Sequence, residues 1–283
     1  MGSDPVYVDA RGAPHRRAAA DARIACLVPS ITELVCDLGL APQLVARTGF
    51  CIHPREVLDG IPKVGGTKDV DLARLRALAP THVIVNIDEN EKPIVDQIAT
   101  FVPHVIVTHP NAPQDNLALA RLIGAIFGRE AAAEKICAAL TAALGAALQA
   151  AAVWPRENVL YLVWKDPWMT VAPDTYISRT LAAVGWDTVP AATSTRYPQV
   201  DILEAARDAR VVLLSSEPYM FREPHAAALQ AELDACLPGR RVLLIDGEMA
   251  SWYGSRAVLG LAYLPAFRAA CYNSPLGPVG RKA

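Results

Sequence analysis

The sequence predicts an α/β protein in which one plan is used twice, and three observations point there. Short apolar runs alternate with helix-period segments along most of the chain, the pattern of parallel strands joined by helical crossovers. An alanine-rich stretch, residues 129–153, breaks that alternation near the midpoint with no turn signal and a single glycine inside it. Finally, "VDLARLRALAPTHVIVNIDEN" (70–90) has a counterpart in "VDILEAARDARVVLLSSEPY" (200–219). Each reads Val-Asp, an apolar helical stripe, a short apolar strand, then a polar loop carrying acids.

The elements follow in order. "IACLV" (24–28) reads as a buried strand, and Pro29 leads into "ITELVCDLGL", where Ser30 with Glu33 has capping-box spacing and Gly39 is the expected stop. "LVART" (44–48), "PTHVIVN" (80–86) and "HVIVTHP" (104–110) are further strands, the second preceded by an amphipathic helix. After the alanine-rich stretch come the strand "NVLYLVW" (158–164) and the helix "DTYISRTLAAVGW", with Asp174 as its expected cap and Gly185 as its stop. The repeat unit, the strand "RVLLID" (241–246) and a closing helix from Ser255 complete the chain. Asp201 and Glu204 read as solvated charge on a helix face.

The reading is therefore two α/β lobes, 22–128 and 154–275, joined by one long central helix over 129–153, with a ligand cleft between the lobes. At ~1.5 Å per residue that helix spans roughly 35 Å, and alanine packs closely at little entropic cost. A chain of 283 residues is long enough for two cores. With 52% hydrophobic and 20% charged residues it is globular, and a formal net charge of -2 gives no reason to expect nucleic acid or an anionic membrane as partner. No uninterrupted apolar run reaches the ~18 residues of a membrane span. The N-terminal residues lack the apolar core of a signal peptide, and the six cysteines form no CxxC, so a cytoplasmic location is expected, or a periplasmic one if a native leader has been replaced.

In parallel α/β sheets ligands sit beyond the carboxyl ends of the strands. Here those ends carry Ser30, "GFCIHP" (49–54), "VGGTKD" (64–69), "NIDENEK" (86–92), "WKDPWMT" (164–170), "STRYPQ" (194–199), "SSEPYMF" (215–221) and "DGEMASWYGSR" (246–256). Aromatics make only 6% of the chain, yet Phe50, Trp164, Trp168, Tyr197, Tyr219, Phe221, Trp252 and Tyr253 all fall on these loops, so a large flat or apolar ligand is one reading and packing is the other. Gly65-Gly66 ahead of Thr67 and Lys68 permits positive φ and close backbone approach, but the spacing is not that of a phosphate-binding Walker loop. His53 and His109, with Glu89, Glu91, Glu217, Asp246 and Glu248 on neighbouring loops, supply the donor types of zinc, manganese or iron without any local ligand spacing. Lys68, Arg196 and Arg256 suit ligand carboxylates or phosphates, or else pair with these acids. No nucleophile elbow, kinase or dinucleotide fingerprint is present, so no catalytic residue is assigned.

The stretches "VPSITELVCDLGL", "IPKVGGTKDVDLARLRALAPTHVIV", the central helix, "RYPQVDILEAARDARVVLLSSEPY" and "WYGSRAVLGL" together resemble the class III solute-binding proteins, the helical-backbone metal receptors that include periplasmic cobalamin- and iron-siderophore-binding proteins. The resemblance covers residues 22–275. It implies two Rossmann-like α/β lobes on one backbone helix, and ligand contacts at Phe50, Cys51 and His53, at Gly66, Thr67 and Asn86, at Trp168, at Arg196 and Tyr197, and from Met249 to Tyr253. In the cobalamin-binding relative, aromatics line the corrin; Trp168 matches such a position, while Thr67 and Asn86 stand where tryptophan is expected. Pro62 stands where a glutamate that docks onto the transporter is expected, so an ABC permease is a partner only if a leader peptide was removed.

The leading expectation is a non-enzymatic binding protein for a small-molecule metal chelate, corrinoid (cobalamin-like) or similar, with no covalent cofactor. Its alternatives are a receptor for a bare zinc, manganese or iron ion held by His53, His109 and acids, and a cytoplasmic enzyme acting on a chelate with Glu89, Glu217 or His53 as acid–base groups.

Overall fold

The structure, a computed structural model, describes residues 6–273. It divides into two compact units. The first comprises residues up to Pro110, Gln114–Thr141 and the late segment Tyr253–Arg256; the second comprises Asn111–Pro113, Ala142–Trp252 and residues from Ala257 on.

The first unit contains strands β1 (Tyr7–Val8), β2 (Pro14–His15), β3 (Ile24–Cys26), β4 (Leu44–Arg47), β5 (His82–Asn86) and β6 (His104–Thr108), and helices α1 (Pro29–Asp37), α2 (Arg55–Leu58), α3 (Leu72–Ala77), α4 (Lys92–Ile98) and α5 (Asp115–Ile126). Helix α6 (Glu130–Ala151) begins in this unit and continues in the second. The second unit adds β7 (Glu157–Trp164), β8 (Met169–Thr170), α7 (Tyr176–Ala182), β9 (Trp186–Thr188), α8 (Ile202–Ala206), β10 (Val211–Ser215), α9 (Glu223–Cys236), β11 (Arg241–Ile245), α10 (Gly247–Ser251) and α11 (Ala257–Asn273).

The duplication read from the sequence holds at the level of topology. The first sheet runs β4-β3-β5-β6, all parallel, and the second runs β9-β7-β10-β11, also parallel, with β8 antiparallel to the distal end of β7. Numbered by chain order, both are 2-1-3-4. The repeated Val-Asp has one local meaning in both. Asp71 and Asp201 are the N-caps of α3 and α8, each carboxylate accepting the backbone N–H three residues on at 2.9 Å. Asp201 is thus a cap, where the sequence suggested only solvated charge.

Two other caps also move. Helix α1 starts two residues early, with Val28 as N-cap and Pro29 in the first turn, where its missing N–H is not needed. Ser30 is therefore inside the helix and forms no capping box, and Glu33 turns instead to Arg256. At the other end Gly39 takes φ +75°, and Gly39 and Leu40 donate to the carbonyls of Cys36 and Val35, a Schellman stop. In α7 the cap is Thr175, whose Oγ1 accepts the Ser178 N–H, and not Asp174.

The apolar runs of the strands are explained by helices on both faces of the second sheet. Val159, Tyr161, Val163 and Leu213 pack on one side with Ile177, Leu181 and Leu261. Leu160, Leu162, Val212 and Leu214 pack on the other with Ile202, Leu229 and Leu233. In the first unit Ala25, Leu27, Val83, Val85 and Val107 join Leu75, Val95 and Ile98.

Helix α6 is long and apolar enough to cross a membrane by length and composition, although Thr141 and Gln149 keep it from being one uninterrupted apolar run. Its buried residues are Ala133, Cys137, Leu140, Ala147 and Ala151, one stripe at helical spacing, and most of its other alanines are exposed. Glu134 holds the Arg121 guanidinium through both oxygens, at 2.7 and 3.0 Å. This is a packing helix of the two α/β units, and on its outer face alanine serves helix propensity rather than close approach.

One contact was not foreseen. The N-terminal hairpin lies along β6, the edge of the first sheet: Ala10 N–H donates to the Val107 carbonyl and Asp9 Oδ2 accepts the Val107 N–H, both at 3.0 Å. Asp9 also pairs with the buried His15 at 3.1 Å. Burial works against the Asp9 carboxylate, but hydrogen bonds from Val107, His15, Ala13 and Arg11 outweigh it and hold the group below its ordinary range.

Candidate functional site

A 2-1-3-4 sheet reverses its strand order between its first and third strands, and ligands bind outside the carboxyl ends at such a switch point. In the second unit that place is between β7 and β10. Trp164 ends β7 and is 40% exposed. Its ring meets Tyr219 edge-on at 5.5 Å, Tyr219 leans on Phe221 at 4.6 Å, and Trp168 stacks on Phe221 at 5.9 Å with 7° between planes. Phe221 is buried in the sheet's core, so this face is anchored rather than loose. The β10 end is fixed by the Tyr219 N–H donating to the Val163 carbonyl at 3.3 Å.

Glu217 lies beside this aromatic face. Its Oε1 accepts from Ser251 Oγ at 2.7 Å and from Trp252 Nε1 at 2.6 Å. Ser215 Oγ donates to the Glu217 carbonyl at 2.6 Å and accepts from the Tyr161 hydroxyl at 2.9 Å. Burial raises the Glu217 pKa, Glu248 and Asp246 add to that by repulsion, and the two donors partly offset it. Gly247 is required here, because a Cβ would lie 2.9 Å from the Glu217 backbone nitrogen. Two cations of these loops are committed to acids. Lys165 pairs with Asp166 at 3.0 Å, and Arg196 binds the Asp174 carboxylate at 2.9 Å and Asn111 Oδ1 at 2.7 Å. Tyr197 packs on the core.

In the first unit the switch point lies between β3 and β5. Gly65 takes φ +93°, and a Cβ on Gly66 would run into the Asp69 carboxylate and lie 3.2 Å from the Phe50 ring, so the close backbone approach expected of the pair is real. Phe50 is 63% exposed, and Thr67, Lys68 and His53 also reach the surface. Asn90 ties two loops together: its Oδ1 accepts the Asn86 N–H and its Nδ2 donates to the Thr67 carbonyl, both at 2.8 Å. The Tyr253 hydroxyl donates to Glu89 Oε1.

Several expected ligand contacts also have internal surroundings or partners of their own. Asn86 is buried, its Oδ1 accepting the Asp88 N–H at 2.8 Å. Cys51 is sealed from solvent, its sulfur within 3.1 and 3.2 Å of the Thr32 and Thr48 hydroxyls, and burial raises its pKa. Ser30 is buried in the first turn of α1. Arg256 forks onto Glu33 at 2.6 and 2.8 Å, the pairing alternative of its two readings. His109 stands 3.5 Å from Asp88, but among the described residues no three His, Cys, Asp or Glu side chains converge to hold a metal ion, and His53 and His109 form no such set. Ser215 and Asn90 were not singled out by the sequence reading, since a small polar residue at a strand end or in a loop carries no periodic signal.

The family profile described as "Periplasmic binding protein" matches residues 24–232. No curated protein sequence matches the chain at a significant level. Among solved structures, the periplasmic vitamin B12 binding protein of Vibrio cholerae superposes with a TM-score of 0.77 at 16% identity, over 89% of this chain and 98% of that one. A periplasmic heme binding protein from Pseudomonas aeruginosa gives 0.75 at 21%, over 90% and 95%. An ABC transporter substrate-binding protein from Listeria monocytogenes gives 0.71 at 17%, over 86% and 97%. At these identities the likeness establishes the fold: the two-lobe, central-helix class of binding protein.

Proposed function

Since the chain belongs to the periplasmic binding protein family, a family of substrate-binding proteins rather than enzymes, we propose that it binds a flat metal chelate of the corrinoid type on the carboxyl-end loops of its sheets. The observation that carries this reading is the anchored aromatic face of Trp164, Trp168 and Tyr219 at the switch point of the second sheet. Rings held by a core present a rigid apolar surface at low entropic cost, as a large planar ligand requires. That a periplasmic vitamin B12 binding protein and a periplasmic heme binding protein share this fold supports a macrocyclic chelate. No donor set among the described residues favours the bare-ion alternative.

The test is a titration with cobalamin, cobinamide, haemin and a ferric siderophore, followed by tryptophan fluorescence. Quenching with a dissociation constant well below ~1 mM is expected for at least one, and Trp164→Ala should weaken it about tenfold or more. No binding of any of them below ~1 mM, which corresponds to only ~4 kcal/mol, removes the reading. Fractionation of cells that make the natural gene product decides between the cytoplasmic and periplasmic placements, and a periplasmic one makes an ABC permease the partner to seek.

A further inference from the structure

We infer that the chelate is uncharged or cationic and presents an N–H or O–H donor to Glu217, so that an amide-bearing corrinoid is accepted and a carboxylate-bearing chelate such as haem is disfavoured. This rests on the reading that a planar chelate occupies the aromatic face of the second unit. Three features of that unit carry it.

The first is the commitment of its cations. An anionic ligand is normally met by free arginine or lysine, often bidentately. On these loops Lys165 is spent on Asp166, and Arg196 is held by the Asp174 carboxylate, the Asp174 carbonyl and Asn111. Arg222, at the start of α9, turns its guanidinium to Met220 Sδ at 3.1 Å. A propionate arriving at Lys165 or Arg196 would have to displace an existing carboxylate rather than fill a vacancy, and Arg222 is left as the cation without an acid partner among these three.

The second is the geometry at Glu217. Both side-chain donors that reach the group, Ser251 Oγ and Trp252 Nε1, go to the same oxygen, Oε1. Among the described residues no donor reaches Oε2. A largely buried carboxylate with one oxygen doubly satisfied and the other left as an acceptor is complementary to a donor, and repels an acceptor. Two residues on, Tyr219 begins the aromatic face, so a donor on the edge of a plane lying on Trp164 and Tyr219 has a partner close by.

The third is the rest of the local charge. Glu248 and Asp246 follow β11, close enough to Glu217 to act on it electrostatically. An anionic chelate would add to a group of like charges; an amide or a cation would not.

The experiment compares cobinamide, a cation rich in amides, with haemin, which carries propionates, on the purified protein at 50 mM salt, and repeats both with Glu217→Gln. In the glutamine variant Ser251 and Trp252 still need an acceptor, so the amide oxygen takes the Oε1 place and its NH₂ replaces Oε2, a donor where the ligand offers one. The wild type is expected to bind cobinamide at least about tenfold more tightly than haemin, and haemin should recover at 500 mM salt as repulsion is screened. Glu217→Gln should weaken cobinamide about tenfold while leaving haemin unchanged or tighter, with the far-ultraviolet circular dichroism unaltered. Haemin binding as tightly as cobinamide to the wild type, or an equal loss of both ligands in the variant, overturns the inference while leaving the chelate reading intact. Binding of neither by the wild type overturns the inference, while the four-ligand titration decides the chelate reading separately. Should the variant not fold, the wild-type preference and its salt dependence decide alone.

Discussion

His82 should make the first unit acid-labile in a defined window. The residue opens β5, is 6% exposed, stacks on His104 with ring centroids 4.6 Å apart, and meets Phe127 edge-on at 5.1 Å. The Thr81 hydroxyl lies 2.8 Å from its Nδ1. Burial is the main cause, with His104 and His15 adding to it, of a pKa lowered from 6.5 to about 4. The sign follows from linkage: below pH 6.5 the unfolded chain takes up a proton at this site, and the folded chain refuses it until about pH 4. The stability contributed by the neutral ring is therefore complete above pH 7 and declines as the pH falls through that interval. At ~1.4 kcal/mol per pH unit of difference, roughly 2.5 kcal/mol is gone by about pH 4.5. Asp9, held below the ordinary carboxylate range, stays ionised over this interval and does not mimic the effect. The measurement is urea unfolding of wild type and His82→Gln at about pH 7.5, 6, 5 and 4.5. The wild type should lose about 2.5 kcal/mol more than the variant across the series, and the His82 ring signals in an NMR titration should keep their neutral form to near pH 4. Parallel losses in the two proteins, or a His82 ring that titrates near 6.5, would refute the reasoning.

Three further outcomes can be checked by thermal or urea unfolding. Gly124→Ala should destabilise by about 1–3 kcal/mol, because its Cβ would lie 2.6 Å from Ala133 Cβ where α5 meets α6, whereas Gly145→Ala, with nothing within 4 Å, should stabilise by roughly 0.5–1 kcal/mol. Asp71→Ala and Asp201→Ala should each cost about 1 kcal/mol, the worth of an N-cap, and Asp→Asn at either site should cost less. Arg268→Met should cost at least ~2 kcal/mol: the fully buried guanidinium donates to the carbonyls of Val184 and Pro155 and lies 5.2 Å from the Trp154 ring, and its removal strands two acceptors.

How much of this was legible in the sequence depended on the range of the interaction. The strands and the doubled plan were readable because a strand covered on both faces is a continuous apolar run, and because Val-Asp marks a helix start in both halves. Local caps were half readable. The spacing of Ser30 and Glu33 is right for a capping box, but Pro29 pulls the start of α1 forward, and Thr175 outcompetes its neighbour Asp174. Contacts across the chain were not readable at all. Nothing near Arg256 announces Glu33, 223 residues away in sequence, and nothing near Asp9 announces the backbone of Val107. At the candidate site the aromatic crowding of the loops was visible, while the duties of Asn86, Asn90 and Cys51 were not. A polar residue in a loop looks the same whether it meets a ligand or ties two loops together.

The docking of the N-terminal hairpin against β6 bears on how the protein should be handled. A border strand with open amides and carbonyls is a template on which another molecule can grow its own sheet. Here residues 9 and 10 occupy that position on Val107. Trimming the first sixteen residues to obtain a shorter domain would uncover the strand and invite intermolecular β-pairing, so expression designs should keep that segment and place solubility tags ahead of it.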